Sequence, residues 1–343
     1  MILTQRTIQK SISLSGKGLH SGKVVKVYLH PAHTDSGIVF KRTDIKNAPL
    51  IPARSEYVVD TTMATTLGKK GISIATVEHL LSAIAGLQID NIRIEVEGPE
   101  IPIMDGSAHP FFEALHNAGL KEQKELKKFL VITKPVAVRN QDRFCYLFPS
   151  KQFKITCRIE FPQKCIGKQR FEVSFPLFSK KESNACDHSH GYKNGNGKAK
   201  NGNGQSHFAD ISEIFFEEIS RARTFGFLEE VEMLQRKGLA LGGGLENAVV
   251  IDKDTILNKE GLRWQDEFVR HKVLDAMGDL SLLGMQIIGH LVTYRSGHSL
   301  HHKLVERTLK NNSNWKIMTF EETTSGEEEF FLSRSLSQVR AFL

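Results

Sequence analysis

Hydrophobic and polar positions alternate in short runs through residues 1–60, where ISL, VVKVYL and GIVFKR are separated by Gly, Pro and Asp. Such period-two runs broken by turn formers predict antiparallel hairpins. In TTMATTLGKKGISIATVEHLLSAIAGLQIDNIRIEVEG, two strand-like segments flank LGKKG, which supplies a turn. Thr76 stands where an N-cap belongs, ahead of an apolar helix running to about Ala85, and Gly86 stands where that helix stops. DNIRIEVEG reads as a strand, and Ser107 opens a second helix through HPFFEALHNAG. The charged KEQKELKK at 121–128 reads as the link into a second half. That half begins with strand-like KFLVITKPVAVR, RFCYLFP, FKITCRIEFP and RFEVSFPL. Helices follow from Asp210 to about Arg221 and from Leu228 to Arg236, then the strand ENAVVID, the helix DEFVRHKVLDAMGDLSLL, the strand IIGHLVTYR and the helix LHHKLVERTLKN.

One pattern occurs twice. A His-bearing helix leads to a strand, a loop holding Gly and Ser, and another helix in each half. The expected fold class is therefore α+β, with two similar domains, each a mainly antiparallel sheet layered against two helices. We place them at 1–126 and 127–343. At 343 residues the chain exceeds what a single core usually fills, which agrees with two domains. Two His-bearing helices from opposite halves then face each other across a cleft, a common place for a site.

Composition narrows the classes. Hydrophobic content of 40% and charged content of 25% are ordinary for a folded protein. No apolar run approaches the length of a membrane span, and MILTQRTIQK lacks the basic-then-apolar order of a secretory signal. Cys145, Cys157, Cys165 and Cys186 form no CxxC pair, so free thiols in a reducing cytoplasm are expected. Of the net charge of +7, three units lie in 179–205, where five lysines face two acids among repeated Asn-Gly. This stretch holds too few large apolar residues to offset the entropy of ordering, so it reads as a flexible insertion at about 180–205. Cys186, His188 and His190 within it suggest only adventitious metal binding. No basic stripe interleaved with aromatics exists elsewhere, so no nucleic-acid partner is expected.

The chemistry concentrates in VRHKVLDAMGDL. On a helix, His271 and Asp275 are four residues apart and share a face, which Asp279 continues. An imidazole and a carboxylate so placed can hold one divalent ion with a third ligand from elsewhere, although an isolated HxxxD is more often a surface hydrogen-bonded pair. In TVEHL, Glu78 and His79 are adjacent at a helix start and point about a quarter-turn apart. They do not readily bind one ion together, but one can bind while the other reaches a bound water. Two His and one carboxylate with an open position form the usual catalytic zinc pattern, and an unligated Glu nearby is the usual base.

TVEHLLSAIAGLQIDNIRIEVEGPEIPIMDGSA, SRARTFGF, LENAVVID and DEFVRHKVLDAMGDL followed by SGH resemble the UDP-3-O-acyl-N-acetylglucosamine deacetylases, zinc hydrolases of the committed step of lipid A biosynthesis in Gram-negative bacteria. The resemblance runs nearly end to end. It implies metal ligands at His79, His271 and Asp275, binding Zn2+ with Fe2+ as an alternative. Glu78 then matches the general base, His298 the general acid, Asp279 the carboxylate that orients it, and Thr224 the hydroxyl that holds the oxyanion. Lys272 resembles the cation that supports the substrate phosphates. Phe161 matches the aromatic that stacks on uracil and Phe225 one that packs on the sugar, while Leu228, Val231 and Leu234 resemble the wall of the acyl passage. From spacing alone these last three would read as ordinary core positions. The longer insertion, GGGLEN and SGHSLHHKL depart from the family's commonest forms, without touching an expected ligand.

The implied reaction removes the N-acetyl group of a UDP-linked acylated amino sugar, releasing acetate. A monomeric cytoplasmic enzyme is expected, in transient contact with the inner-membrane surface. Other readings of the residues are an amidohydrolase acting on another N-acetylated nucleotide sugar, a non-haem iron oxygenase and a non-catalytic lipid or nucleotide-sugar binder. The oxygenases usually carry HxD on barrel strands, whereas this HxxxD lies on a helix.

Overall fold

The computed structural model describes residues 3–177, 211–236 and 238–320. The insertion expected at about 180–205 lies outside them, as does Asp210.

The doubled pattern in the sequence is a doubled topology. In the first half, β1 (Ile12–Lys17), β2 (Val24–Pro31), β3 (Ile38–Arg42), β4 (Ile51–Pro52) and β5 (Ile92–Glu97) form a sheet in the order β1-β2-β5-β3-β4. In the second, β6 (Val136–Asn140), β7 (Arg143–Phe148), β8 (Phe153–Glu160), β9 (Lys168–Phe175) and β10 (Gln286–Tyr294) take the order β6-β7-β10-β8-β9. Within both sets one contact is parallel, β5 on β3 and β10 on β8, and the other neighbours are antiparallel. Each central strand is preceded and followed by a helix: α1 (Glu78–Gly86) and α2 (His109–Asn117) around β5, α3 (Glu267–Leu280) and α4 (His298–Lys310) around β10. The fold is thus α+β with mainly antiparallel sheets. The second sheet also carries Phe129–Ile132, parallel to the start of β10, and Trp315–Met318 beside it.

Side-chain alternation accounts for the strands. Val25, Val27 and Leu29 of β2 point inward opposite Ile92, Ile94 and Val96 of β5, with polar neighbours between them. Strand β10 is buried on both faces over most of its length, as a central strand must be. The helices α1 and α3 are buried nearly all round because they pack on each other, α1 also on α2, and α3 also on α4, β8 and β9. Burial of Leu80, Leu81 and Ile84 in α1 contributes about 1.5–3 kcal/mol per side chain. Close approach of the two helices depends on Gly278, where a Cβ would fall on the Glu78 carbonyl.

Three local expectations fail. Thr76 does not cap α1: it takes a left-handed backbone with φ +59°, its hydroxyl is buried without a hydrogen-bond partner, and Val77 precedes the helix. Gly86 is the last residue of α1 and not its stop. The charged 121–128 stretch is no simple link, since Leu120–Leu126 is a strand paired antiparallel with Thr4–Ile8. Its charges come as exposed pairs between half-buried Leu120, Gln123 and Leu126, which a charge-run reading overlooks. The LGKKG turn is as expected, with Lys70 and Gly71 both at positive φ between Thr66–Lys69 and Ile72–Ile74.

Candidate metal centre and active site

The two central helices bring His79 from the first half against His271 and Asp275 from the second. All three are buried, and their ligand atoms lie within 4.8 Å of one another. His271 Nε2 is 3.3 Å and His79 Nε2 3.7 Å from the same Asp275 oxygen. Tetrahedral zinc with bonds of about 2.0–2.2 Å has ligand–ligand edges of roughly 3.3–3.6 Å, so the set fits such an ion. The rings of His79 and His271 stand perpendicular with centroids 5.1 Å apart.

The surroundings prepare these groups for a cation. His271 donates Nδ1–H to the Ala222 carbonyl at 3.0 Å, leaving the Nε2 lone pair free. Burial keeps its imidazole neutral, with its pKa pushed down to about 3. Burial opposes ionisation of Asp275 too, but His271 and Lys272 outweigh it and hold the carboxyl well below its usual range. Lys272 donates to the second Asp275 oxygen at 2.9 Å and lies over the Phe225 ring.

Beside the triad stand an acid and a base. Glu78 is buried, and burial raises its pKa above the usual carboxylate value. One of its oxygens accepts the Thr65 N–H; the other faces His298 Nε2 at 3.9 Å. His298 donates Nδ1–H to Asp279 at 2.8 Å. Burial and its place as the first residue of α4 both disfavour a charged ring. Asp279 overrides them, and the His298 pKa rises to about 10. The sequence reading put this histidine in the loop before the helix; it begins the helix.

Asp279, His298 and His301 form a second cluster of potential ligands. Both ring nitrogens lie 2.8 Å from one Asp279 oxygen, a hydrogen-bond distance and shorter than a tetrahedral edge. The cluster is a hydrogen-bonded network. Thr65 joins it, donating its hydroxyl to the other Asp279 oxygen at 2.5 Å.

Of the expected binding residues, Phe161, Leu228 and Lys272 line a cavity of about 720 Å³, while Phe225, Val231 and Leu234 do not form its wall. Phe161, Phe227 and Leu228 line its apolar side; Arg143, Lys253, Lys272 and Arg295 supply cations, beside the carboxylates of Glu160, Glu229, Glu230, Asp252 and Asp254. Phe225 packs edge-on to Phe161 at 5.7 Å and against His271 at 6.3 Å, bridging cavity and triad. Thr224 is half-buried on the segment whose Ala222 carbonyl holds His271. Leu228, Val231 and Leu234 share a half-buried stripe on the helix Leu228–Arg236, which buries no residue fully, so they are not core. Sequence reasoning missed Thr65, Ala222, His301, Arg143 and Arg295. Only His301 left a signal, one helical turn beyond His298 in HSLH.

A buried two-His, one-carboxylate set with an unligated Glu and a charged His beside it defines a metal-assisted hydrolase. The UDP-3-O-acyl N-acetylglycosamine deacetylase family model matches residues 5–185 and 192–310. The UDP-3-O-acyl-N-acetylglucosamine deacetylase of Myxococcus xanthus is 47% identical over 314 residues, covering 92% of this chain and 89% of the relative. Its namesake in Syntrophus aciditrophicus is 45% identical over 316 residues, covering 92% and 89%, and that of Shewanella frigidimarina is 41% identical over 341 residues, covering 98% and 100%. The chain belongs to the UDP-3-O-acyl N-acetylglycosamine deacetylase family, metal-dependent hydrolases of lipid A biosynthesis. No helix among the described residues is long and apolar enough to cross a membrane.

Proposed function

We propose that this chain hydrolyses the N-acetyl group of UDP-3-O-acyl-N-acetylglucosamine, with zinc held by His79, His271 and Asp275. The observation that carries the reading is the placement of Glu78 and His298 3.9 Å apart at the edge of that triad. A zinc ion there supplies Lewis acidity, lowering the pKa of a water and polarising the acetamide carbonyl. Glu78 takes the proton of the attacking water, and its raised pKa makes it the stronger base. The Thr224 hydroxyl donates to the oxyanion that develops on the carbonyl oxygen. His298, kept charged by Asp279, delivers its Nε2 proton to the nitrogen as the C–N bond breaks. Amide and water become acetate and a free amine.

The cavity suits the rest of the substrate. Phe161 offers a face to uracil, Phe225 packs on the sugar, and Lys272 meets the phosphates. Leu228, Val231 and Leu234 line the path of the acyl chain. The enzyme then works as a cytoplasmic monomer at the inner-membrane surface, built as domains 1–126 and 127–343 with the active site in the cleft between them. The test is to incubate purified protein with the UDP-linked acyl sugar, with and without a chelator, and to measure acetate. Release abolished by chelation and restored by Zn2+ supports the reading; binding without acetate release overturns it.

A further inference from the structure

On its Nδ1 side the charged histidine is held chiefly by Asp279, and Asp279 does not stand alone. Its Oδ1 accepts the Thr65 hydroxyl at 2.5 Å; its Oδ2 accepts His298 Nδ1–H and His301 Nδ1–H, each at 2.8 Å. His301 is fixed in turn, because its Nε2 lies 2.9 Å from the Ser296 hydroxyl. With Ser296 donating to Nε2, His301 keeps Nδ1–H for Asp279. All of Thr65, Asp279 and His301 are buried, so water does not readily replace any of these bonds.

Thr65 does more than meet one oxygen. Its main-chain N–H donates to Glu78 Oε2 at 3.1 Å, while its hydroxyl donates to Asp279 and lies 3.3 Å from His298 Nδ1. It comes from the first half of the chain, 214 residues from Asp279. One side chain and its own amide therefore tie the carboxylate of the base to the carboxylate behind the acid. A two-oxygen group held by one hydrogen bond can swing about its Cβ–Cγ bond; held at both oxygens it cannot, and the imidazole it orients is fixed with it.

We propose that Thr65 and His301 are positioning residues that clamp Asp279 from both sides and so aim His298 at the leaving nitrogen. Neither touches the reacting atoms. The proposal rests on the reading of His298 as the proton donor, and the test separates the two.

Thr65→Val keeps the shape and the amide N–H but removes the hydroxyl; Thr65→Ser restores it. His301→Leu removes the second donor, while His301→Asn offers an amide N–H in its place. In the metal-loaded enzyme, Thr65→Val and His301→Leu should each lower kcat about ten- to a hundredfold, the scale of a misplaced catalytic group, with KM and metal content unchanged. Thr65→Ser and His301→Asn should recover most of the loss. His298→Gln should itself lower kcat strongly, and Thr65→Val added to it should lower kcat no further. A full second loss in the double variant, or equal losses in the Val and Ser variants, would assign Thr65 a general structural role and overturn the clamp. If His298→Gln retains turnover, the donor reading fails, whatever the Thr65 variants do. The thermal midpoint of each variant is measured alongside; should a Leu or Val protein fail to fold, the Ser and Asn variants carry the kcat comparison against wild type, and a loss above tenfold in both would refute the clamp.

Discussion

Gly278→Ala is the sharpest probe of how the two halves share one site. The added Cβ would strike the Glu78 carbonyl oxygen and lie 2.8 Å from its carbon and 2.9 Å from Glu78 Cα, all backbone atoms that no rotamer change can remove. Ordinary contact begins near 3.4 Å and the carbonyl oxygen would lie far inside it, so α1 and α3 must part by about an ångström or more. Overpacking of this kind typically costs about 1–3 kcal/mol, which should appear as a lower unfolding free energy of the metal-free protein in urea. The displacement is passed straight to the ligands, since His79 follows Glu78 while Asp275 lies one turn before Gly278. Their 3.7 Å separation is already at the long edge for one ion, and metal sites tolerate only about 0.2 Å of error in each bond. Metal affinity, measured by competition with a chromophoric chelator, should fall about ten- to a hundredfold. Gly297→Ala serves as a control, because nothing lies within 4 Å of its added methyl. Unchanged affinity and stability in Gly278→Ala would mean that the helices have slack, and that close packing does not set the ligand geometry.

Further outcomes are expected. Glu78→Gln keeps the size of the side chain but cannot take a proton, so it should retain the metal while turnover falls about 10²–10⁴-fold; metal loss measured by atomic absorption would instead make Glu78 a ligand. Asp275→Ala should lose metal and activity together, and a protein with full metal and turnover would refute the triad. The pH profile of kcat/KM should rise as pH climbs through the raised Glu78 pKa and fall as it passes about 10, where His298 loses its proton. Asp279→Asn removes the group that keeps His298 charged, so the falling limb should move to lower pH; a stationary limb would assign it to another group. The same raised pKa contributes to folding: its stabilisation is complete below His298's ordinary 6.5 and disappears as pH rises through about 10.

What could be read in the sequence follows from the range of the interaction. His271 and Asp275 were legible because four residues on a helix fix which side chains meet, whatever the fold does. The repeated helix–strand–loop–helix order was legible for the same reason, and it became the paired five-strand sheets. Glu78 and His79 pointed to a site, but the choice of His79 as the expected ligand came from family resemblance, since adjacency alone left both roles open. Thr65 could not be found from the sequence: its partner is 214 residues away, and a threonine in a TTMATTL run has no distinguishing pattern. The Ala222 carbonyl that orients His271 leaves no trace in residue type at all. Thr76 misled for a related reason, because residue type favours a cap there and only tertiary packing sets its left-handed backbone.

The division of the triad between the two repeats has a consequence for how the ion and the fold depend on each other. One candidate ligand is carried by α1 and two by α3, so neither repeat alone would offer more than a weak site. Joining them in one chain replaces a meeting of two bodies by an intramolecular closure, whose effective concentration can reach the millimolar range or above. An ion that binds only the closed arrangement then acts as a fastener between repeats, adding stability in proportion to the logarithm of its free concentration over its dissociation constant. Depletion of the metal would therefore loosen the seam between the halves before it disturbs either sheet, and hydrogen exchange should increase first in α1 and α3.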